Sequence, residues 1–254
     1  MTLKNNEAID VANSLYETGR FDYVVPSFFR FNIFDNPYYP LQWGLKNTGQ
    51  NEGIVGVDIK AESAWSYSSG VGVKIAVVDN DIQLDHPDLQ GNLLQDFDAT
   101  GGINDESNSY HHGTRCAGII AACNNNIGVK GIAYNSKIIP IKIGFGDYYE
   151  DESVIEAFEY ALNAGADIIS CSWGGGSPSP AIKNVIDIVS NYGRNGLGCP
   201  IIYSSGNNNK NTINIHASFH NTIAVGAISP CGERKSPNSC DGETYWGSNY
   251  GENL

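Results

Sequence analysis

The hydrophobic positions follow two periodicities from residue 53 onward. Five short apolar runs rich in β-branched residues are each long enough for one buried parallel strand: residues 71–78, 137–143, 166–172, 199–204 and 222–227. Segments with helical spacing separate them, and the one over residues 153–164 ends at Gly165, the residue type favoured just past a helix. Strands separated by helices predict right-handed βαβ units. We therefore predict an α/β fold, a three-layer sandwich with a mostly parallel central sheet flanked by helices.

The first 36 residues have a different pattern from the rest. Apolar residues at helical spacing predict a helix over residues 5–20, ended near Gly19. An aromatic, extended segment follows over residues 21–34, and Asp35-Asn36-Pro37 forms a break. We expect residues 1–36 to be a small ordered piece in front of a main domain over residues 37–254.

The charge balance narrows the classes of partner. The formal net charge is −13, and the sequence has no basic cluster, which argues against nucleic acid and anionic membranes as partners. No apolar run approaches the length of a membrane span. Residues 2–10 are polar and contain no secretory signal. Either the protein is cytosolic or the chain begins after its true start.

The six cysteines are too few for a disulfide-dense miniprotein. Cys231 and Cys240 bracket a polar loop, and we expect them to be bonded. Such a disulfide favours an oxidising compartment, and so a secreted or extracellular protein. Cys116 lies one helical turn after His112, which predicts a buried free thiol beside that histidine. The pairing of the other three stays open: Cys123, Cys171 and Cys199.

The candidate catalytic residues lie just after the predicted strands, where functional residues are usually found in parallel sheets. Asp79 directly follows the run 71–78, and an aspartate in this position can orient a histidine. His112 opens a helix of small and apolar residues. An imidazole fixed by close packing can act as a general base.

Three motifs carry a resemblance to a known family. The stretch 112–118, HGTRCAG, resembles the catalytic-histidine segment of the subtilisin-like serine proteases, in the form typical of their kexin branch. Residues 77–89 resemble the aspartate segment, and residues 204–209 the oxyanion segment, with Asn207 as its asparagine. The motifs occur in family order. The resemblance implies a serine endopeptidase acting on polypeptide substrates, with His112 as base, Asp79 as its orienting partner and Asn207 at the oxyanion.

A fourth segment is suited to holding an extended peptide. Glycine-rich backbone after a strand exposes N–H and C=O groups to an added β-strand. Ser172, Trp173 and Gly174 resemble the substrate-binding strand of the family. The acidic residues that follow it in kexins are absent here, where residues 177–180 read SPSP. We therefore do not expect kexin-like preference for dibasic substrates.

The resemblance also implies a structural calcium ion. The loop 123–131 offers carbonyl and amide oxygens, which suit calcium. The implied ligands are the side-chain amide of Asn125, the carboxylate of Asp88 and three backbone carbonyls, those of Cys123, Ile127 and Val129. Gln42 is a candidate for a further oxygen.

The sequence departs from the family in three respects. Asp81 stands where glycine is usual, and His216 where proline is usual. The third is the nucleophile, which lies in a Gly-Thr-Ser-Met-Ala-like segment that residues 1–254 lack. Ser205 and Ser248 do not open the small-residue helix that this segment forms. We expect the serine to lie beyond residue 254, so that the fold is incomplete at its C-terminus and this chain alone is inactive.

Two alternatives to an active protease stay open. The first is an inactive, peptide-binding relative. Asp79-x-Asp81 after a strand also resembles the magnesium-dependent haloacid-dehalogenase phosphatases, but no convincing set of their other residues is present. For the N-terminal 36 residues, the resemblance suggests a propeptide tail running into a mature N-terminus, with an ordinary N-terminal arm as the alternative.

Overall fold

The computed structural model describes residues 5–22, 24, 36–102, 111–145, 148–177, 179–252 and 254. The chain divides into two compact units, Met1–Phe34 and Asp35–Leu254. In the first unit, helix α1 spans Asn5–Glu17 and is followed by Gly19 in the left-handed conformation (φ 64°). The extended segment expected over residues 21–34 lies almost wholly outside the described residues.

The second unit is built on a six-stranded sheet in which every neighbouring pair is parallel. Its strands are β1 (Lys74–Asp79), β2 (Phe97–Asp98), β3 (Lys137–Lys142), β6 (Ile168–Cys171), β7 (Ile201–Ser204) and β8 (Ile223–Val225). Their order across the sheet is β2-β3-β1-β6-β7-β8. A separate antiparallel hairpin joins β4 (Gly144–Phe145) to β5 (Tyr148–Tyr149). Asp79 thus ends a central strand.

Four helices accompany the sheet: α2 (Ala61–Trp65), α3 (His112–Ala121), α4 (Asp151–Asn163) and α5 (Pro180–Gly196). Short 3-10 turns lie at Tyr39–Leu41, Gln50–Glu52 and His216–Ser218. Helix α5 begins with a proline preceded by a capping residue, because the Ser179 hydroxyl accepts the N–H of Ile182 (3.4 Å). In the described ranges, none of the helices is long and apolar enough to cross a membrane.

Alternating residues of β1 build two cores on opposite faces of the sheet. Ile75 and Val77 pack in the cluster that contains Ala117 and Ala121 of α3. Ala76 and Val78 face the larger cluster, which is filled by residues of α4 and α5. A strand buried on both faces is apolar along its buried interior, as β1 is from Ile75 to Val78. The predicted α/β fold, with helices on both faces of a mostly parallel sheet, is confirmed.

Candidate active site

Asp79 and His112 form a hydrogen-bonded pair at the carboxyl end of β1. Asp79 is buried, and its Oδ1 lies 2.8 Å from Nδ1 of His112, with Oδ2 at 3.1 Å. The Asp79 carboxylate also accepts the N–H of Asn80 (2.9 Å). This arrangement orients the imidazole as a base requires. It also commits the Asp79 carboxylate to the histidine, which argues against a phosphatase that uses Asp79 on a metal.

Gly113 allows helix α3 to approach β1 closely enough for this pair to form. A Cβ atom at Gly113 would lie 2.4 Å from the carbonyl oxygen of Asp81 and 2.9 Å from the Cβ of Asp79. Both distances are shorter than side chains tolerate, and the nearer neighbour is backbone. The small residues seen in the sequence therefore have a specific use, since they place the first turn of α3 directly against the end of the strand.

The surroundings of His112 favour its protonated form. The hydrogen bond to Asp79 raises the pKa of His112 above its ordinary value, with a smaller contribution from Cys116, while burial opposes the shift. When His112 acts as a general base and accepts a proton, its ring becomes an imidazolium. The pair is thus arranged to stabilise the charged state that catalysis passes through.

Cys116 lies against the imidazole, with its Sγ 3.8 Å from Nδ1 of His112. The thiol is free, as predicted from its spacing of one helical turn. The expectation that it is buried was wrong, because the residue is only partly buried. The first turn of α3 borders an open cleft, and the His112 side chain itself is 47% exposed.

A cleft of about 550 Å³ brings together segments that are far apart in the sequence. Asp79 and His112 line it beside Asn207, the segment Ser172–Gly174 and the hairpin β4–β5. The structure therefore places the predicted catalytic, oxyanion and substrate-binding residues around one cavity.

The segment Ser172–Gly174 is held in place by contacts behind the cleft. The indole N–H of Trp173 donates to the carbonyl of Val78 (2.9 Å), and the ring lies 4.8 Å from that of Tyr149. A Cβ atom at Gly174 would lie 2.4 Å from Nδ2 of Asn214, so glycine is needed there. The backbone that would pair with a peptide is thus fixed relative to β1.

Asn207 follows strand β7 and is exposed at the edge of the cleft. Ser205 and Ser248 are instead buried, with their hydroxyl oxygens 3.2 Å apart. In the part of the chain that the structure describes, no serine hydroxyl forms a hydrogen bond with the His112 ring. Neither Ser205 nor Ser248 is placed to act as a nucleophile.

The two substitutions in the family pattern are accommodated without obvious backbone strain. Asp81 is not among the residues with positive φ, so a side chain at this position meets no conformational penalty. His216 is buried in an aromatic cluster, 5.5 Å from the ring of Trp173 and 5.7 Å from that of Tyr203. Burial lowers the pKa of His216, which favours its neutral form.

The residues expected to bind calcium lie together on one side of the domain. The carbonyl oxygens of Cys123, Ile127 and Val129 converge on a single atom, Nδ2 of Asn36, at 2.9, 2.6 and 2.6 Å. The carboxylate of Asp88 accepts the N–H of Val129 (2.9 Å), and its Oδ1 is buried with no hydrogen-bond partner among the described residues.

Asn125 and Gln42 contact this region in different ways. The side-chain oxygen of Asn125 accepts the N–H of Ile127 (3.2 Å). Gln42 instead pairs with both backbone groups of Lys130, through bonds of 2.8 and 2.9 Å. Gln42 therefore braces the loop, and its side-chain oxygen is occupied by an N–H.

These donors fit a hard cation such as calcium. Three carbonyls facing one amide nitrogen exceed its two hydrogens. Within the described residues, Asp88 Oδ1 and Asn36 Oδ1 are also buried without a hydrogen-bond partner. Burial raises the pKa of Asp88. Sequence reasoning missed Asn36, whose only local signal is its position before Pro37 at the start of the domain.

Comparison with known proteins identifies the family that has this fold and this site. The family model described as the Subtilase family (Peptidase_S8) matches residues 70–254. The chain belongs to the subtilase family.

Individual relatives agree with this assignment. A calcium-dependent protease from Trichormus variabilis is 34% identical over 219 residues, which cover 78% of this chain and 33% of that protein. A subtilisin from Bacillus pumilus is 35% identical over 198 residues, covering 73% of this chain and 67% of that protein. A solved protease structure from Pseudoalteromonas arctica PAMC 21717 matches with a TM-score of 0.69 at 26% identity, covering 86% of this chain and 70% of that one. The chain spans about a third of the length of the first relatives it matches.

Proposed function

We propose that this chain is the Asp-His portion of a serine endopeptidase, and that it hydrolyses peptide bonds when joined to a serine outside residues 1–254. The observation that carries the proposal is the Asp79–His112 hydrogen bond of 2.8 Å at one wall of a peptide-sized cleft. Membership of the subtilase family supports it.

In this mechanism each residue has a defined task. The serine hydroxyl attacks the peptide carbonyl while the second ring nitrogen of His112, Nε2, accepts its proton and later delivers that proton to the leaving amine. Asp79 holds the Nδ1–H of His112 and stabilises the imidazolium. The amide of Asn207 donates to the oxyanion of the tetrahedral intermediate, and the segment Ser172–Gly174 pairs with the substrate backbone.

A covalent trap tests this proposal directly. A serine-directed fluorophosphonate should label the protein that contains this chain and its serine segment, and the labelled peptide should map outside residues 1–254. The His112→Ala variant should not be labelled, since the hydroxyl then has no base. The chain of residues 1–254 alone should remain unlabelled and should hydrolyse peptides no faster than its own His112→Ala variant.

Two controls make the result interpretable. The variants Ser205→Ala and Ser248→Ala should keep full labelling, because both hydroxyls are buried away from the cleft. Label on either serine would overturn the account of the nucleophile. A protein that binds peptides but is never labelled would be an inactive relative.

We also propose that calcium stabilises the fold through the oxygen set described above. Asp88, Asn125 and the carbonyls of Cys123, Ile127 and Val129 would hold the ion, with Asn36 beside them. Calcium would supply a positive charge that stabilises these convergent oxygens. The ion would tie the segment after β1 to the loop after α3, and a relative is named a calcium-dependent protease.

Thermal unfolding tests the calcium site. A ligand that binds only the folded state stabilises it by about 2.7 kcal/mol at a hundredfold excess over its dissociation constant. For a domain of this size that predicts a rise in Tm of about 5–10 °C. Asp88→Asn should remove most of the rise. Its calcium-free Tm should not fall, because the raised pKa of Asp88 means that the ionised carboxylate is disfavoured in the folded state.

The matched control for Asp88→Asn is Asp85→Asn. Asp85 is exposed, lies three residues earlier, and accepts a hydrogen bond from the side chain of Gln83 (2.9 Å). Its variant should keep the full calcium response. If Asp88→Asn responds to calcium as the unmodified protein does, Asp88 is not a ligand.

We propose an extracellular location and a separate role for the N-terminal unit. The Cys231–Cys240 disulfide, predicted from the sequence and present in the structure, supports an oxidising compartment. The unit boundary between Phe34 and Asp35 supports treating the first residues as a propeptide tail or N-terminal arm.

A further inference from the structure

One buried side chain contacts the backbone on the C-terminal side of the oxyanion residue Asn207. The Oδ1 atom of Asn249 accepts the N–H of Asn208 (2.9 Å) and the N–H of Lys210 (3.1 Å). These donors are the first and third residues after Asn207. Asn249 is only 4% exposed, so the two bonds are largely shielded from water.

The backbone of the same residue fixes the other side of Asn207. The N–H of Asn249 donates to the carbonyl of Gly206 (2.8 Å), and its carbonyl accepts the hydroxyl of Ser205 (3.3 Å). Asn249 is therefore bonded to the residues immediately before and after Asn207. No other contact in the described part of the chain brackets Asn207 in this way through one residue.

The approach of the two segments is close enough to require a glycine. A Cβ atom at Gly206 would lie 2.5 Å from Nδ2 of Asn249, and Gly206 has φ +104°, a conformation that side chains rarely adopt. The backbone enters Asn207 through this turn. The position of the Asn207 side chain is thus set by a turn that Asn249 packs against.

Neighbouring residues add further contacts, and the N–H of Gly247 donates to the backbone carbonyl of Asn207 itself (3.3 Å). Asn209 donates its N–H to the carbonyl of Gly247 (2.8 Å), and the side chain of Arg234 donates to Oδ1 of Asn209 (2.8 Å). These bonds hold the far end of the loop. The side chain of Asn207 forms no hydrogen bond within the described residues and is directed by its backbone alone.

We propose that Asn249 is a positioning residue for the oxyanion site: it holds the backbone on both sides of Asn207, so that the Asn207 amide is aligned before the oxyanion forms. The inference rests on the proposed protease function. An oxyanion donor contributes most when its geometry is fixed in advance, because no reorganisation is then needed in the transition state.

Steady-state kinetics of the protein that contains this chain and its serine segment test the inference. Asn249→Ala should lower kcat by about tenfold to a hundredfold, the size of effect that misplacing a catalytic group produces, with little change in KM. Asn249→Asp keeps an oxygen facing both N–H groups and should retain most of kcat. If the alanine variant does not fold, Asn249→Ser keeps a polar atom in the buried site and should show the same loss.

The decisive measurement is the effect of Asn249→Ala in an Asn207→Ala background. If Asn249 acts through Asn207, its replacement should have almost no further effect on kcat once the amide is gone. The matched control is Asn92→Ala, a buried asparagine bonded to the carbonyls of Ala121 (2.9 Å) and Tyr134 (2.7 Å). This variant should lower Tm and change kcat by the same small factor in both backgrounds.

The outcomes separate the inference from the proposed function. An equal loss of kcat from Asn249→Ala in both backgrounds, or a lowered Tm with kcat unchanged, would overturn the positioning role. If Asn207→Ala alone leaves kcat unchanged, the oxyanion assignment in the proposed function is wrong, and the inference fails with it.

Discussion

Replacing His112 with alanine should lower kcat of the serine-containing protein by about 10⁶-fold, the loss that removing the base causes in subtilisin. The reason is that the hydroxyl nucleophile is a weak one until a base accepts its proton. KM should change little, because the cleft and the segment Ser172–Gly174 remain in place. Hydrolysis of a fluorogenic peptide, measured over several decades of enzyme concentration, checks the result.

The adjacent histidine provides the control. His111 is exposed and has φ 37°, so His111→Asn is a fitting variant, since asparagine tolerates the left-handed region. It should retain kcat within about tenfold, since His111 is not among the described residues that line the cleft. A large loss in His111→Asn with activity kept in His112→Ala would reverse the assignment of the base.

The sequence was most informative where a residue's surroundings lie close to it in the chain. The longer parallel strands could be predicted because each is a run of mainly apolar residues, but the boundaries were less exact. The run 71–78 was expected to be one strand, whereas β1 begins at Lys74. Val71 is 76% exposed and Gly72 has φ 82°, so the first apolar residues belong to a turn. Composition alone does not distinguish an exposed valine from a buried one.

The elements that were missed have almost no local signal. Strand β2 and the hairpin β4–β5 are made of two-residue strands, which are too short to show any periodicity. They exist because of tertiary pairing, such as that of Phe97 with Ile141. The hairpin lines the cleft, so part of the site's wall could not be predicted from the sequence.

Within the site, too, the residues with a local sequence signal were predicted and those without one were missed. Asp79, His112 and Asn207 each stand in a stretch whose neighbours carry the family pattern. Asn36 and Asn249 act on segments far along the chain, and nothing beside them indicates it: Asn36 contacts a carbonyl 87 residues away, and Asn249 an N–H 41 residues away. Positions of this kind are defined only once the fold brings the two segments together.

Replacing Asp79 with asparagine should lower kcat by about 10⁴-fold while leaving the protein folded. The amide keeps the size of the carboxylate but can no longer both accept the Nδ1–H and stabilise the imidazolium. The loss should be smaller than in His112→Ala, because the base is still present, although in the wrong tautomer. Circular dichroism and Tm establish that the variant folds, and the kinetics of peptide hydrolysis give the loss.

The pH profile of the same variant identifies the cause of the loss. The base acts in its neutral form, so kcat/KM rises with pH through the pKa of His112. Asp79 is the main reason that this pKa is raised, and its carboxylate favours the charged imidazole. Removing that charge lowers the pKa, so the rise in kcat/KM should move to lower pH while its plateau falls. A pH profile that keeps its midpoint in Asp79→Asn would show that the carboxylate does not act on His112 in solution.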